Sequence, residues 1–311
     1  MSYIPYFALK IFAGLIHAIF ARIFPKYSKH GRRLMTIRQK MTLIALSHAL
    51  GIPYRDIPLL ALDLADVLRI KNITSFQNFN AFAKKIRPQT LQTIIEAVAV
   101  ITLKLDDDNS RVVLIDSTGF QIMDASSYYL WRAQRSADFF KLHVVMDLRT
   151  GAILLATPSD RYYHDIKPLR KYFLRELKRL CRRFSFRIKA ISADSAYDSE
   201  DIYRRIRIEL DAIPAIKPAK RRGLPRSGLR AKIWRIRHLP WFKHYVNMRW
   251  ILEARFKTFK RLLGRVVRGK SEESRSREVL YKALLWNILV LLARLSNGGK
   301  RSLNKDEKII I

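Results

Sequence analysis

The stretch that decides the fold reads RVVLIDSTG and covers residues 111–119. Four apolar residues directly precede Asp116, which predicts a buried strand that ends in an acid. A second run, from Ile188 to Asp194, has the same form. The carboxyl ends of neighbouring strands meet at one edge of a sheet, where the active sites of α/β proteins lie. We therefore expect the carboxylates of Asp116 and Asp194 to converge.

The residues around these two runs predict an α/β fold, a mixed sheet with helices on its faces. The expected elements are, in chain order, a hairpin over 142–157, a helix over 165–184, a strand over 188–194, a helix over 200–208, a strand over 212–216, and helices over 249–263 and 275–295. Within them we interpret Asp147 as a turn residue, Asp165 as a helix cap and Trp250 as a buried aromatic. Asp198 and Asp201 are typical of acids at the start of a helix.

Glu253 is the best candidate for a third acid in the site. Two repelling carboxylates need a cation, and Mg2+ prefers oxygen ligands. A third acid would fix a pair of metal ions. In the predicted helix, Arg249, Glu253 and Lys260 fall on one narrow face. Taken alone, that face is also typical of an exposed ladder of salt bridges.

Three motifs together resemble the insertion-sequence transposases that carry a Y-R-E-K signature. Arg249, Glu253 and Lys260 reproduce the spacing Arg-x3-Glu-x6-Lys. The segments 115–119 (IDSTG) and 193–197 (ADSAY) are similar to the two aspartate motifs of the family, and 141–143 and 164–165 match recurrent segments. One departure concerns Tyr245. Three residues separate Tyr245 from Arg249, whereas the signature has two residues between its tyrosine and its arginine. Val246 holds the expected position.

The resemblance implies an RNase H-like catalytic domain and a metal-dependent reaction. Mg2+ or Mn2+, as two ions, would bind Asp116, Asp194 and Glu253, which would be the catalytic residues. The residues that we expect to contact DNA are Arg249, Lys260, Lys257, Tyr245, Lys141 and His143. For His143 a purely structural role in the sheet is an equal alternative.

The charge of the chain points to a polyanionic partner. Sixty Lys and Arg residues against 26 Asp and Glu give a net charge of +34. Phosphate neutralisation supplies most of the non-specific affinity for nucleic acid, so DNA is the expected partner. A run from 217 to 237 is dense in Lys and Arg, and we interpret it as a mobile basic loop. Cys181, the only cysteine, excludes an intramolecular disulfide and is expected to fill core space.

Residues 1–104 predict a helical, DNA-binding domain. The helical patterns cover 36–50, 56–70, 75–86 and 90–103, with Gly51 and Pro88 as helix ends. They are typical of a helix-turn-helix unit or, equally, of an ordinary bundle with a basic face. Residues 4–24 are strongly apolar, which predicts a helix packed on the protein or, as an alternative, a membrane anchor.

Four polar residues at 106–109 predict a solvated turn between two domains. We thus expect a catalytic domain over 105–299, with a basic insertion near 217–240, and a tail over 300–311. The resemblance implies a transposase that cleaves DNA and transfers strands at the ends of a mobile element. Its partners would be terminal inverted repeats and target DNA, with a homodimer on DNA, no membrane, and a cytoplasmic, nucleoid-associated location in a prokaryote. The alternative is a transposase-derived DNA-binding protein without activity.

Overall fold

A computed structural model describes residues 6–24, 35–122, 138–219 and 227–296 of the chain. Within these residues, six strands form one sheet. They are β1 (Ser110–Ile122), β2 (Phe139–Asp147), β3 (Ile153–Ser159), β4 (Arg187–Ala193), β5 (Ile213–Ile216) and β6 (Val266–Val267). The order is β3-β2-β1-β4-β5, with β6 beside the far end of β1. β1 runs antiparallel to β2 and parallel to β4, and β5 runs parallel to β4.

This arrangement confirms the expected mixed, RNase H-like sheet, including its hairpin. The turn of the hairpin is built by Asp147, whose Oδ2 accepts hydrogen bonds from the backbone N–H and the hydroxyl of Thr150, each at 2.7 Å. Gly151 follows with a φ of 80°, a conformation that costs glycine little. The interpretation of Asp147 as a turn residue is confirmed.

β1 is longer than expected, and the prediction that it ends at Asp116 is wrong. Asp116 lies near its middle, and the strand continues to Ile122. The extension is stabilised because residues 117–121 pair with β2 and the last two residues pair with β6. β4 has already ended at this level, since its last residue, Ala193, pairs with Ile115. Asp116 and Asp194 therefore lie side by side although only one of them follows a strand end.

Helices cover both faces of the sheet. Those before β1 are α1 (Tyr6–Ile23), α2 (Ile37–Leu50), α3 (Ile57–Asp63), α4 (Ala65–Leu68), α5 (Phe76–Lys85) and α6 (Pro88–Lys104). Those after β3 are α7 (Leu174–Phe184), α8 (Glu200–Leu210), α9 (Gly228–Ile236), α10 (Pro240–Asn247), α11 (Arg249–Leu263) and α12 (Glu272–Ser296). One helical turn at Ile166–Pro168 and a π-helical segment at Leu169–Phe173 lead into α7.

Alternate residues of β1 enter two different hydrophobic cores. Leu114 and Phe120 pack with the N-terminal helices, α11 and α12. Val113 and Ile115 pack with α7, α8 and α10 on the other face. Asp116 has the same parity as Leu114, so its side chain points to the face that α11 covers.

The N-terminal helices follow the expected boundaries with one exception. Thr36 and Gln39 form a capping box at the start of α2, and Gly51 ends it in a left-handed conformation. The predicted helix over 56–70 is divided, because α3 ends at Asp63 and α4 begins at Ala65. Pro88 follows the end of α5, as expected, and also begins α6, since the first turn is the helical position that tolerates proline.

α6 and α12 join the N-terminal helices to the sheet. The buried amide of Asn287 accepts a hydrogen bond from the N–H of Ile153 at 2.7 Å and donates to the carbonyls of Ile153 and Ile95. One side chain of α12 thereby connects β3 with α6. Residues of α1 to α6 and of the sheet share one hydrophobic core. The division at residue 104 stays a prediction, and the predicted tail lies outside the described residues.

α1 packs against α2 and α4, and its residues Ala13, Ile16 and Phe20 are fully buried. In the described part of the chain, one helix, α12, has the length and hydropathy of a membrane span, and most of that stretch is buried inside the protein. Burial of this kind is ordinary for the core helix of a globular fold, so α12 by itself does not indicate a membrane.

Residues 107–109 are exposed, as expected of a solvated turn, but Asp106 is not. Asp106 is buried, with Oδ2 lying 3.0 Å from Arg111 Nη1 and 3.1 Å from Arg149 Nε. Arg294 of α12 lies 4.0 Å from the same oxygen. A buried carboxylate is stable only when it is paired, and three arginines supply that pairing.

The basic stretch 217–237 is not one continuous loop. Residues 228–236 form α9, in which Ala231 and Ile233 are buried. These two apolar residues pack inside the protein, although the basic residues around them predicted a loop. Residues 220–226 lie outside the described part of the chain.

Cys181 lies on α7 and packs, partly buried, against the core on that face of the sheet. Burial raises the pKa of its thiol to about 12. The thiol therefore stays protonated near neutral pH and behaves as the small apolar residue that was expected.

Candidate active site

Asp116 lies on the central strand, with its side chain 19% exposed. Its Oδ1 accepts a hydrogen bond of 2.8 Å from the backbone N–H of Ser117. Burial raises the pKa of this carboxyl to about 6, against the lowering effects of the Ser117 hydrogen bond and of Arg249. The charges of Asp194 and Asp165 raise it further. Asp116 is therefore a carboxylate whose charge is incompletely compensated.

Asp194 follows β4 directly, as the sequence predicted, and begins the short 3-10 turn Ser195–Tyr197. Its Oδ1 accepts a hydrogen bond of 2.6 Å from the backbone N–H of Ser195. The other oxygen points to Arg249, and the side chain is 41% exposed. One carboxylate oxygen is thus fixed by the backbone while the other faces the site.

Arg249, the first residue of α11, holds three acids together. Its Nη1 lies 3.5 Å from Asp116 Oδ2 and 3.1 Å from Asp194 Oδ2. Its Nη2 donates a hydrogen bond to Glu253 Oε1, one turn further along the helix. The sheet and the helix therefore bring Asp116, Asp194 and Glu253 to a single guanidinium. Glu253 is half exposed, and its contact with Arg249 is the salt bridge between successive helical turns that the spacing also predicted.

The donor set suits a hard cation, because carboxylate oxygens are the ligands that Mg2+ and Mn2+ prefer. Within the described residues, however, no three His, Cys, Asp or Glu side chains lie close enough to hold a metal ion. Arg249 takes the inner position among the acids, and its charge offsets theirs. Burial raises the pKa of Asp116 by more than Arg249 lowers it.

The other basic residues of α11 lie further along the helix. Lys260 is eleven residues beyond Arg249, or about 16 Å along the axis. Its ammonium lies 5.8 Å from the centre of the Phe120 ring, and burial lowers its pKa. Lys257 is exposed to solvent. These residues extend a basic strip from the acids along the distal part of β1.

Trp250 is 63% exposed, so the expectation of a buried aromatic is wrong. The buried positions of α11 are Leu252, Phe256, Phe259 and Leu263, and these define a face that does not include Trp250. The indole thus faces solvent next to Arg249. Helical periodicity places Trp250 outside that face, but the sequence does not say which face the sheet covers.

Tyr245 lies on α10, which is separated from α11 at Met248. The ammonium of Lys189 lies 5.9 Å from the centre of the Tyr245 ring. Lys189 precedes Asp194 by five strand residues, or about 16 Å. The ring therefore packs at some distance from the acids, while Val246 contacts the hydrophobic core.

Lys141 and His143 lie on β2 and point to the face opposite to Asp116. His143 is fully buried, and its Nε2 lies 2.8 Å from the hydroxyl oxygen of Ser159. Burial lowers the pKa of the imidazole to about 4, so it is neutral at pH 7. A contact between His143 and DNA would require this part of the sheet to open. Lys141 is mostly buried, and its ammonium donates to the carbonyl of Tyr163 at 3.2 Å.

Asp165 stands at the N-cap position before Ile166–Pro168, as expected, but its side chain makes no capping hydrogen bond and contacts the sheet instead. Its Oδ1 accepts a hydrogen bond of 3.0 Å from the Ser117 hydroxyl and another of 3.2 Å from the Lys141 ammonium. His143 Nδ1 lies 3.5 Å from the same oxygen. The sequence indicated that Lys141 and His143 lie on one face of a strand. It did not indicate that Asp165 would contact them.

Asp198 is also not the helix-start acid that was expected. It is fully buried, and both of its oxygens lie 3.0 Å from Nε of Arg230 on α9. Oδ2 also accepts a hydrogen bond of 2.9 Å from the N–H of Ala219. Asp198 thereby contacts the basic insertion at Ala219 and at Arg230. Asp201, in contrast, lies in the first turn of α8 as predicted.

Tyr197 completes the surroundings of the acids. Its side chain is almost fully buried below the 3-10 turn. Burial raises the pKa of its hydroxyl well above the usual value, and the carboxylates of Asp116, Asp165 and Asp194 raise it further. The tyrosine hydroxyl therefore stays neutral, and all three carboxylates are close enough to affect its pKa.

Comparison with known proteins identifies the family of the chain. The family model described as Transposase DDE domain matches residues 107–288, more than half of the 311 residues. The match covers every strand of the sheet and the three acids. A search of curated proteins found no match. The chain belongs to the transposase family that is defined by the DDE domain.

Proposed function

We propose that this transposase cleaves DNA phosphodiester bonds and transfers strands at the ends of a mobile element, with Asp116, Asp194 and Glu253 as its catalytic residues. DDE transposases generally use divalent metal ions. The observation that carries the proposal is the convergence of the three carboxylates on Arg249. Cleavage of DNA is the chemistry expected of a transposase. An acidic cluster in a chain of net charge +34 fits that chemistry as well.

The three acids would hold Mg2+ or Mn2+ as two ions. The bound ions would activate a water molecule or a DNA 3′-hydroxyl and would stabilise the leaving oxygen. Asp116 and Asp194 each keep one oxygen free of backbone hydrogen bonds in the described structure and turn it toward the site. Glu253 contacts the other terminal nitrogen of Arg249, so the ligands would come from β1, from the turn after β4 and from α11.

Arg249 would have two tasks. Without an ion it neutralises the acids, which otherwise repel each other across the sheet edge. With DNA bound, its planar guanidinium is suited to a bidentate grip on a phosphate. Trp250, exposed beside it, would stack on an unpaired base near the cleaved bond. Lys257 and Lys260 would continue the phosphate contacts along α11, and Lys141 and Tyr245 stay candidates further from the acids.

The N-terminal helices would supply further DNA contacts. In α5, Phe79 and Ala83 face the core, and the opposite side exposes amide and basic side chains. The exposed side chains are Gln77, Asn78, Asn80, Lys84 and Lys85. Amides can pair with adenine in the major groove, and lysines can pair with phosphate. This surface favours the helix-turn-helix interpretation over an ordinary bundle.

The partners would be terminal inverted repeats and target DNA, bound by a homodimer, because two ends must be held together. The location would be the cytoplasm of a prokaryote, on the nucleoid. Residues 6–23 pack on the protein, which supports a protein that acts without a membrane anchor.

A cleavage assay with a binding control tests the proposal against the alternative, an inactive DNA-binding derivative. The wild type and Asp194→Asn are incubated with supercoiled plasmid and Mg2+ or Mn2+, and binding of the same DNA is measured by fluorescence anisotropy. We expect the wild type to nick the plasmid and the variant to bind equally without nicking. If both bind and neither cuts, the chain is a DNA-binding derivative and the enzymatic proposal fails.

A further inference from the structure

Asp165 lies in the segment between β3 and α7, and its carboxylate contacts the sheet on the face opposite to Asp116. Oδ1 of Asp165 accepts hydrogen bonds from the Ser117 hydroxyl at 3.0 Å and from the Lys141 ammonium at 3.2 Å. Ser117 and His143 pair across β1 and β2, and Gly119 pairs with Lys141 two residues further on. The strand register therefore presents the three partners of Asp165 on one side of the sheet.

Ser117 connects this carboxylate to Asp116. The backbone N–H of Ser117 donates to Asp116 Oδ1 at 2.8 Å, while its hydroxyl donates to Asp165 on the opposite face. Neighbouring strand residues point to opposite faces, so one residue can contact both acids. A shift of the Ser117 main chain would move the hydrogen bond that orients Asp116.

His143 closes the network from below. Its Nε2 is bonded to Ser159, whose hydroxyl donates to the carbonyl of Asp160. Within the described residues, Nδ1 of this buried ring has no hydrogen-bond partner, and it lies 3.5 Å from Asp165 Oδ1. A buried ring nitrogen without a hydrogen-bond partner calls for an explanation. The imidazole of His143 lies against the carboxylate of Asp165 on the buried side of the network.

We propose that Asp165 is a positioning residue that fixes the orientation of Asp116 through Ser117, with Lys141 as the counter-ion that holds Asp165. This inference rests on the proposed function for the role of Asp116. Groups that hydrogen-bond to a ligand of a metal ion keep it in the orientation that the ion requires, and losing one costs 10- to 100-fold in affinity or activity. Asp165 itself does not touch the reacting atoms.

The test measures Mn2+ binding by the full chain without DNA, using electron paramagnetic resonance, together with kcat and KM for plasmid nicking. Asp165→Ala and Ser117→Ala each break the route to Asp116. We expect each to weaken Mn2+ binding and to lower kcat by about 10-fold or more, with KM for DNA nearly unchanged. Asp165→Asn keeps an oxygen that accepts the Ser117 hydroxyl, so it should recover most of both quantities.

Asp211→Asn is the control. Asp211 is largely exposed, pairs with Arg207 on α8, and has a positive φ that asparagine tolerates. We expect this variant to bind Mn2+ and to turn over like the wild type. Ser117→Ala removes a single hydroxyl, so it serves as the test if Asp165→Ala fails to fold.

Two outcomes overturn the proposal. One is wild-type Mn2+ binding and kcat in Ser117→Ala and in folded Asp165→Ala. The other is an equal loss in Asp165→Asn and Asp165→Ala, which would assign the effect to charge rather than to the hydrogen bond. A wild type that binds Mn2+ but cuts no DNA would instead contradict the proposed function, and the binding data would still decide the role of Asp165.

Discussion

Arg249 and Asp194 are joined by an ion pair of 3.1 Å between Nη1 and Oδ2, and the same nitrogen lies 3.5 Å from Asp116. The arginine begins α11, Asp116 lies on β1, and Asp194 directly follows the neighbouring strand β4. Its other terminal nitrogen contacts Glu253. One guanidinium thus contacts all three acids, and this leads to the predictions that follow.

Removing the charge of Asp116 should stabilise the protein at neutral pH. The folded-state pKa is about 6 and the ordinary value is 3.8, so the folded protein holds a proton that the unfolded chain has already released. Stability from this group is therefore complete below about pH 4 and is lost as the pH rises through 6. A shift of this size corresponds to about 3 kcal/mol at pH 7.

Thermal unfolding of Asp116→Asn from pH 4 to pH 8 checks this prediction. The melting temperature should exceed that of the wild type at pH 7 to 8, and the difference should vanish toward pH 4. Asp211→Asn is the control, because Asp211 is largely exposed and asparagine tolerates its positive φ. A destabilised Asp116→Asn at pH 8 would show that burial is not what raises the pKa of this acid.

Arg249→Met should raise the pKa of Asp116 above 6. The guanidinium lowers that pKa in the intact site, and its removal leaves the repulsion from Asp194 uncompensated. The carboxyl resonance of 13C-labelled aspartate reports the titration directly. Lys257→Met is the comparison, since this exposed lysine lies on the same helix. An unchanged titration in Arg249→Met would mean that the arginine does not neutralise the acids in solution.

Trp250→Ala should weaken DNA processing without affecting the fold. Replacing an exposed side chain usually changes stability by less than about 0.5 kcal/mol, whereas losing a base-stacking contact costs about 1–3 kcal/mol. Cleavage should therefore fall at least several-fold while the melting temperature stays constant. Trp241→Ala on α10 is the matched exposed tryptophan and should cut normally. Equal activity of both variants would remove Trp250 from the DNA-binding surface.

Lys84→Ala combined with Lys85→Ala tests the N-terminal helices. If α5 contacts DNA backbone, the slope of log Kd against log salt should fall by about 2. The comparison is Arg182→Ala with Arg183→Ala, an exposed basic pair at the end of α7. A slope that changes only in the α7 pair would favour an ordinary bundle over a helix-turn-helix unit.

The strands, the hairpin and α11 were predictable because their apolar patterns repeat with the period of the element. Asp194 was predictable for the same reason, since it ends a buried run. The extension of β1 beyond Asp116 was not, because residues 117–122 become a strand only through pairing with β2 and β6. Pairing between distant segments leaves little trace in local sequence.

The contacts of single side chains were the least predictable. Asp165 and Asp198 carry no local sign of their partners, which lie 48 and 32 residues away along the chain at Ser117 and Arg230. Trp250 was misplaced because the sequence does not show which face of α11 the sheet covers. Glu253 could be assigned only through its resemblance to known transposases, since helical spacing alone also fits a surface salt bridge.

The most direct test of the three-acid site is single-turnover DNA cleavage with Mn2+ by Asp116→Asn, Asp194→Asn, Glu253→Gln and the triple variant. Residues that act as one catalytic unit are strongly non-additive. We predict that each single change lowers the rate by at least about 100-fold, that the triple variant is no slower than the singles, and that Asp211→Asn cuts normally. Wild-type cleavage by any one of the three single variants would contradict the assignment of that acid, and with it the proposed site.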